Sequence, residues 1–578
     1  MTSATQAHHS ARLRIREQLL KRPIQLALGA AMLASAVVVL WEGRHMTFFQ
    51  DEWTLLLNRR GYSPDVLLGN VNGHLVLIPL LIYKALLAIF GASYTPFRVA
   101  DVLSALLCAG LAFRLIQPRV GDLPALAAAI LLLFLGVAWE DMLWALGITY
   151  YGALAAGLGM FLALERRDRF GDATACGLLT ASIACQSIGL SFAVGAAVEV
   201  ALQRGTARSR RIWIWLIPLA LYAIWYAGWS GGHGATGIKL GNLPGVPYDV
   251  AQTAASAFAS LFGLYRNTGW INGPLTGFPP FVPDFGLPLA VLAGALFCLF
   301  LIRGGRASPR LWALLVTIGT LWISFSLVEG PGRSPSASRY QYPDVLLVLL
   351  LAAEVMRGSR LVPRAATLIA VVLVCSVAVN FASLHDGGLF FSQISTLDRA
   401  DLAALQIARG TVGSDFVPVA PAFGATNALL HLDRVRAGRY FAFTQRYGSP
   451  ADTDRDLTGA PESARLVADG LLMRAERVRL QPGPAQRPGP AARCAPAQGD
   501  PPGGSIRVIV PPDGLWLRSG PGATATVQVR RFAAEFHAVP GTLAPGIPAQ
   551  LTPARDGSSR PWLALVTAEK GSVLVCRR

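Results

Sequence analysis

The sequence predicts an α-helical polytopic membrane protein with a C-terminal α+β region that ends in a small β-sandwich-like domain. Three observations predict it. Of 578 residues, 53% are hydrophobic and only 15% charged, and mean hydropathy is +0.45, more apolar surface than one water-soluble core encloses. The apolar residues cluster in runs of about 20, the length that crosses a bilayer's hydrocarbon core. Beyond residue 384 no such run remains, and Gly, Pro and alternating apolar residues take over.

The chain opens on a basic stretch, ARLRIREQLLKR at 11–22, followed by an apolar run. Ala34-Ser35-Ala36 mimics a signal-peptide cleavage site, but the run continues past it, so residues 24–41 read as an uncleaved first span with 1–23 cytoplasmic. Sliding hydropathy places further spans at 97–116, 123–138, 147–164, 172–186, 188–203, 212–229, 285–302, 310–328, 343–356 and 364–381, about eleven in all. The connection between the fifth and sixth, at Cys185-Gln186-Ser187, is minimal, and losing one would move the tail to the other side.

A further apolar stretch, 75–90, either crosses or lies in the outer interface. If it does not cross, the arginine-bearing segments 117–122, 165–169, 203–211, 303–310 and 357–364 all face the cytoplasm, as the positive-inside rule requires. If it crosses, those arginines end up outside. The segment is therefore placed in a first outer loop, 42–96, and the tail outside. The +17 formal charge follows from this topology, because no basic and aromatic stripe of the nucleic-acid-binding kind is present.

The tail divides at 481–504, rich in Pro and Gly and read as a linker. Before it, 385–480 shows helical periodicity with acids early and arginines late. After it, 505–578 alternates as strands between Gly and Pro turns. Five cysteines fall in apolar spans. Cys494 and Cys576 lie in the tail, where an oxidising compartment leads to the expectation that they pair.

On this topology the outer loops carry few ionisable groups. Asp51 and Glu52 follow the first span in FFQDEW, with Asn72 and His74 in NGH; Glu140 and Asp141 stand in AWEDMLW; Arg333 and Arg339, followed by Tyr340, stand in EGPGRSPSASRYQY. Carboxylates beside Trp and Phe at a membrane boundary require water, a cation or a proton. A carboxylate there can act as general base toward a hydroxyl, and Arg can hold a phosphate by paired hydrogen bonds. The competing reading makes DEW and WED interfacial belts, His74 a satisfied structural residue and His233 weaker still. The loop 230–283 reads as a cover that brings Lys239 or Arg266 to the site, or as an interfacial anchor. Walker-A, HExxH and GxSxG motifs are absent from the sequence, which removes the usual signatures of ATP-driven transport, zincin proteolysis and α/β-hydrolase chemistry.

FFQDEW after the first span, then NGHLVLIPLLIYKALLAIFG and YTPFRVADVLSALL, resembles the opening module of the GT-C superfamily. These are polytopic glycosyltransferases that use polyprenyl-phosphate sugars, among them the protein mannosyltransferase and aminoarabinose transferase relatives. The resemblance covers roughly 24–165, plus SRYQYP before the tenth span. It implies Asp51 as catalytic base with Glu52 its neighbour, Glu140 and Asp141 as second-loop acids near the acceptor, and Arg339 as a ligand of the donor phosphate. The chain departs where Asn72-Gly73-His74 replaces His-Pro-Pro and where WED lacks an Arg-x-x-Asp pattern, which leaves the donor sugar open. The final β domain is similar in plan to the glycan-binding module of envelope arabinosyltransferases, with Trp516 and Trp562 able to stack on sugars or to sit in the core.

The expectation is therefore a hexosyl- or pentosyltransferase of a bacterial inner membrane, moving sugar from a polyprenyl-phosphate donor to an envelope glycan, glycolipid or protein. Paired carboxylates are hard-oxygen ligands, so a divalent cation such as Mg or Mn is compatible with the site and its need stays open. Two other classes remain. A flippase of lipid-linked sugars would place its ionisable groups near the bilayer midplane, and a non-catalytic assembly protein would use the tail as a glycan-binding module.

Overall fold

In the computed structural model, the described residues are 23–203, 210–231, 239–267, 281–282, 284–303, 305, 307–328, 334, 336–359, 362–418, 432–484, 493–499 and 504–577. Each of the eleven stretches expected as spans contains a helix, but several, such as Ile188–Ala201, Trp213–Trp229 and Gly286–Ile302, are shorter than a full span, so the helices do not carry a count of eleven crossings. Among the described residues, six helices have the length and hydropathy to cross a membrane: Pro23–Glu42, Thr95–Val120, Asp122–Leu143, Ala145–Glu165, Pro309–Leu327 and Pro363–Gly410. Leu77–Phe90 is a 14-residue helix, about 21 Å long and shorter than the ~30 Å hydrocarbon layer.

The arginines that set the expected orientation also tie helices together. Arg119 pairs with Glu354 and, at 2.9 Å, with Glu165. Arg310 pairs with Glu199 at 2.6 Å and Arg211 with Asp172 at 2.6 Å. Each pair compensates charges that would otherwise be costly to bury.

The third span is interrupted. The α-helix Asp122–Leu133 gives way to a 3₁₀ turn, Gly136–Ala138, and a short helix, Trp139–Leu143. The break lies where the chain closely approaches the last long helix, and only glycine fits there, because a Cβ on Gly136 would lie 1.7 Å from the Asn380 carbonyl oxygen. The Val137 N–H donates to the Asn380 side-chain oxygen at 3.0 Å.

That last helix, Pro363–Ile407, runs unbroken for 45 residues, about 68 Å, more than twice the hydrocarbon thickness. Its two halves differ in what they bury. Leu368, Val371 and Val374 in the first half are exposed, an apolar surface suited to lipid, whereas Phe390, Phe391, Ile394, Leu402 and Leu405 are buried. Span and stalk, expected as separate elements, are one helix.

The stalk helix Glu462–Ala475 packs on this long helix and holds the β region. Asp469 accepts the N–H groups of Arg531, Phe532 and Ala533 at 2.8, 2.9 and 3.0 Å. The central strand Leu563–Arg577 pairs with Ser505–Ile509 and Thr524–Arg530 along its first half and with Arg493–Gly499 and Leu515–Ser519 along its second. The halves meet at a register shift between Ala568 and Lys570 and at Gly571, whose φ of 70° suits glycine. One strand thereby serves both faces of the sandwich-like fold.

The stretch 481–504, expected as a linker, contributes strands in its described parts, Leu480–Pro482 and Arg493–Gly499. Pairing with Leu563–Arg577 absorbs the second of these. Cys494 lies directly opposite Cys576 in that register, and the two are joined in a disulfide. Trp516 and Trp562 are core residues rather than sugar platforms, 1% and 3% exposed, with indole N–H groups donating to the Pro484 carbonyl at 3.0 Å and to Glu476 at 2.8 Å.

Candidate active site

The first acidic pair splits, one carboxylate inward and one outward. Gln50 adopts a left-handed φ of 45°, and the chain turns sharply into the three-residue helix Asp51–Trp53. Glu52 points inward. Its Oε2 accepts the Phe49 N–H at 2.8 Å and the Trp144 indole N–H at 2.9 Å, its Oε1 accepts the Tyr83 hydroxyl at 2.7 Å, and the Tyr94 hydroxyl lies 3.4 Å from Oε2. Complete burial raises its carboxyl from 4.5 to about 7, a rise that these four donors only partly oppose. Glu52, expected beside Asp51 in the catalytic pair, is thus the buried centre of an aromatic cage.

Asp51 is partly exposed. Its Oδ2 accepts from the Asn72 side-chain amide at 2.5 Å, and its Oδ1 is paired with Arg434. Asn72 is aimed by its turn. Asn72 and Gly73 have φ of 51° and 89°, and Val71 and His74 exchange backbone hydrogen bonds of 3.1 and 2.9 Å. Asn-Gly favours such a hairpin because both central residues require positive φ. His74 is directed elsewhere, with Nδ1 2.6 Å from the Ser187 hydroxyl.

The second acidic pair lies behind the same aromatic layer. Phe49 meets Trp144 and Phe391 edge to face, with ring centroids 5.5 and 5.6 Å apart, and Phe391 meets Trp139 at 5.2 Å. Glu140 pairs with Arg339 at 3.1 Å, and its N–H donates to the Ser338 hydroxyl at 3.1 Å. Asp141 is buried. Gly147 sits against it, since a Cβ there would lie 2.2 Å from the Asp141 carbonyl and 2.8 Å from Asp101 Oδ1. The stretches FFQDEW and AWEDMLW meet through the Trp144 indole N–H, which donates to Glu52.

The expected phosphate ligands are arranged less openly. Arg339 is mostly buried against Glu140, and Tyr340 is 5% exposed and stacked on Phe325 at 4.1 Å, so its ring belongs to the core. Arg333, His233, Trp270 and Phe278 lie outside the described residues, as does the Arg266 side chain. The Lys239 N–H caps the helix Pro309–Leu327 by donating to the Leu327 carbonyl at 2.9 Å. Among the described residues, no group of three or more His, Cys, Asp or Glu is placed to hold a metal ion.

Sequence reasoning missed Arg434, which lies 383 positions from its partner Asp51; nothing local marks it. It also missed Tyr83, Tyr94 and Trp144 as Glu52 donors. Asp101 carried a usable signal, an acid inside the apolar run 97–116. It is fully buried, and its neighbour Arg98 donates to the Val39 and Met142 carbonyls at 3.0 Å each.

No protein-family profile and no curated protein matches the chain. In overall chain trace it is similar to the crystal structure of ArnT from Cupriavidus metallidurans bound to undecaprenyl phosphate, at 15% identity over 74% of this chain and 90% of that one, with a TM-score of 0.41. It is similar also to the cryo-EM structure of the arabinosyltransferase EmbB from Mycobacterium smegmatis, at 12% identity over 96% of this chain and 64% of that one, with a TM-score of 0.31.

Proposed function

We propose that the chain is a membrane glycosyltransferase that moves a sugar from a polyprenyl-phosphate donor to an envelope acceptor, with Asp51 as general base on the exoplasmic side. One observation carries this reading. A partly exposed carboxylate, fixed by Asn72, stands beside a guanidinium, Arg434, one residue from the buried Glu52 cage. This is the pair of charges that the reaction needs: an acceptor for the incoming hydroxyl's proton and a cation for the departing phosphate. The carrier lipid follows from the sequence resemblance, and the side of the membrane from the arginine bias.

In the proposed step the acceptor oxygen attacks the anomeric carbon while its proton passes to a carboxylate oxygen of Asp51. The bond from that carbon to the phosphate oxygen breaks with its electron pair, which leaves with polyprenyl phosphate, and the anomeric configuration inverts. Arg434, through the guanidinium edge not turned to Asp51 and Thr54, is the residue best placed to receive the phosphate charge; Arg339 supports Glu140 behind it.

The test is transfer from a radiolabelled polyprenyl-phosphate sugar pool by the purified full-length protein and its Asp51→Asn form. Loss of about 10²-fold or more in the variant is expected for a missing general base. Full activity in the variant would end the proposal, and a lack of transfer by the native protein from any pool would favour the assembly reading.

A further inference from the structure

A second cluster of cations lies far along the chain from Asp51, where the stalk helix Glu462–Ala475 meets the β region. A cleft of about 290 Å³ opens there, lined by Arg465, Arg530, Arg531 and Arg560 together with Ile509, Pro561 and Leu563, and no acidic side chain lines it. Such a volume, at the small end of ligand sites, suits a single sugar residue with its substituent.

The four arginines are not equivalent. Arg531 is neutralised behind the wall by Glu476 and Asp556, and Arg465 is paired with Glu462 at 2.7 Å. Arg530 and Arg560 have no ion pair among the described residues. They are held instead by neutral groups, Arg530 by the Ala534 carbonyl at 2.5 Å and Arg560 by the Thr458 hydroxyl at 3.1 Å, and their guanidinium groups rest over Phe536 and Phe532 at 4.8 and 5.7 Å.

We propose that this cleft is a binding site for a carboxylate-bearing sugar of an acidic glycan. Guanidinium forks match the two oxygens of a carboxylate. Ile509, half exposed, with Pro561 and Leu563, offers an apolar floor for the C–H face of a sugar ring, which bare phosphate would not use. The concave shape argues against a flat bilayer surface as the occupant. The site is independent of transfer chemistry at Asp51 and would hold an acidic chain on the β region whatever reaction occurs there.

Calorimetry on the full-length protein in zwitterionic nanodiscs tests this with an oligogalacturonate, a neutral maltooligosaccharide and inorganic phosphate. The oligogalacturonate should bind, weaken with rising salt, and lose about tenfold or more in affinity in Arg530→Gln/Arg560→Gln. The maltooligosaccharide should not bind. Ile509→Glu, which puts a carboxylate at the cleft rim without touching an arginine, should weaken binding likewise and guards against misfolding of the double variant. Absence of oligogalacturonate binding, undiminished binding by these variants, inorganic phosphate as tight as the sugar, or binding only to anionic-lipid vesicles would each overturn the proposal.

Discussion

Replacing Glu52 by glutamine separates the two acids of FFQDEW by physics rather than by position. In the fold the Glu52 carboxyl is raised from 4.5 to about 7 by burial. At about 1.4 kcal/mol per pH unit, ionising it inside the protein costs roughly 3 kcal/mol more than in the unfolded chain. Because the folded value is raised, the stabilisation is fully present below the ordinary carboxyl range near 4.5 and is lost as pH rises through about 7. The apparent melting temperature of the native protein should therefore fall between about pH 5 and about pH 8. The side-chain amide of the E52Q protein cannot ionise. Its oxygen can still accept from Phe49 and Trp144 while its NH₂ faces Tyr83, whose hydroxyl can turn to accept. The pH slope from this group should vanish, and transfer activity should persist, since Asp51 is untouched. Tryptophan fluorescence melts in detergent, at one scan rate because unfolding is expected to be irreversible, provide the assay. An E52Q protein with the native pH slope would refute the burial argument, and one that is folded but inactive would refute the expectation that Asp51 alone serves as base.

Glu52→Ala should be far worse than E52Q, because it strands the Phe49 and Trp144 N–H groups at about 1–3 kcal/mol each; a melt equal to that of E52Q would contradict this. Gly147→Ala should destabilise the layer between the acidic pairs by about 2 kcal/mol or more, since its Cβ would meet the Asp141 carbonyl at 2.2 Å; an unchanged melting temperature would contradict the packing. Arg434→Gln should lower transfer about 10²-fold if the guanidinium stabilises the leaving phosphate, whereas unchanged kcat and KM would leave it a purely structural partner of Asp51. Cys494→Ser/Cys576→Ser opens a loop of sequence separation 82 and should destabilise the β region by about 4 kcal/mol on the chain-entropy estimate, measured by proteolysis of the tail.

Where helices and strands form was legible in the chain, because that depends on local period and run length. Each of the eleven apolar runs contains a helix, and the alternating tail contains strands. The sequence also placed Asp51 and Glu52 just beyond the first span, and Asn72-Gly73 encoded its own turn, whereas Glu140 and Asp141, expected in an outer loop, lie in the helical stretch that ends at Leu143. The surroundings of each acid were not legible, because burial and partners come from remote segments: Tyr83, Tyr94 and Trp144 close around Glu52, while Arg434 arrives at Asp51 from 383 positions away. The linker reading fails for the same reason. Pro and Gly at 481–504 signal the absence of local structure, yet the strand Leu563–Arg577 supplies a hydrogen-bonding edge for 493–499 that no local pattern reveals.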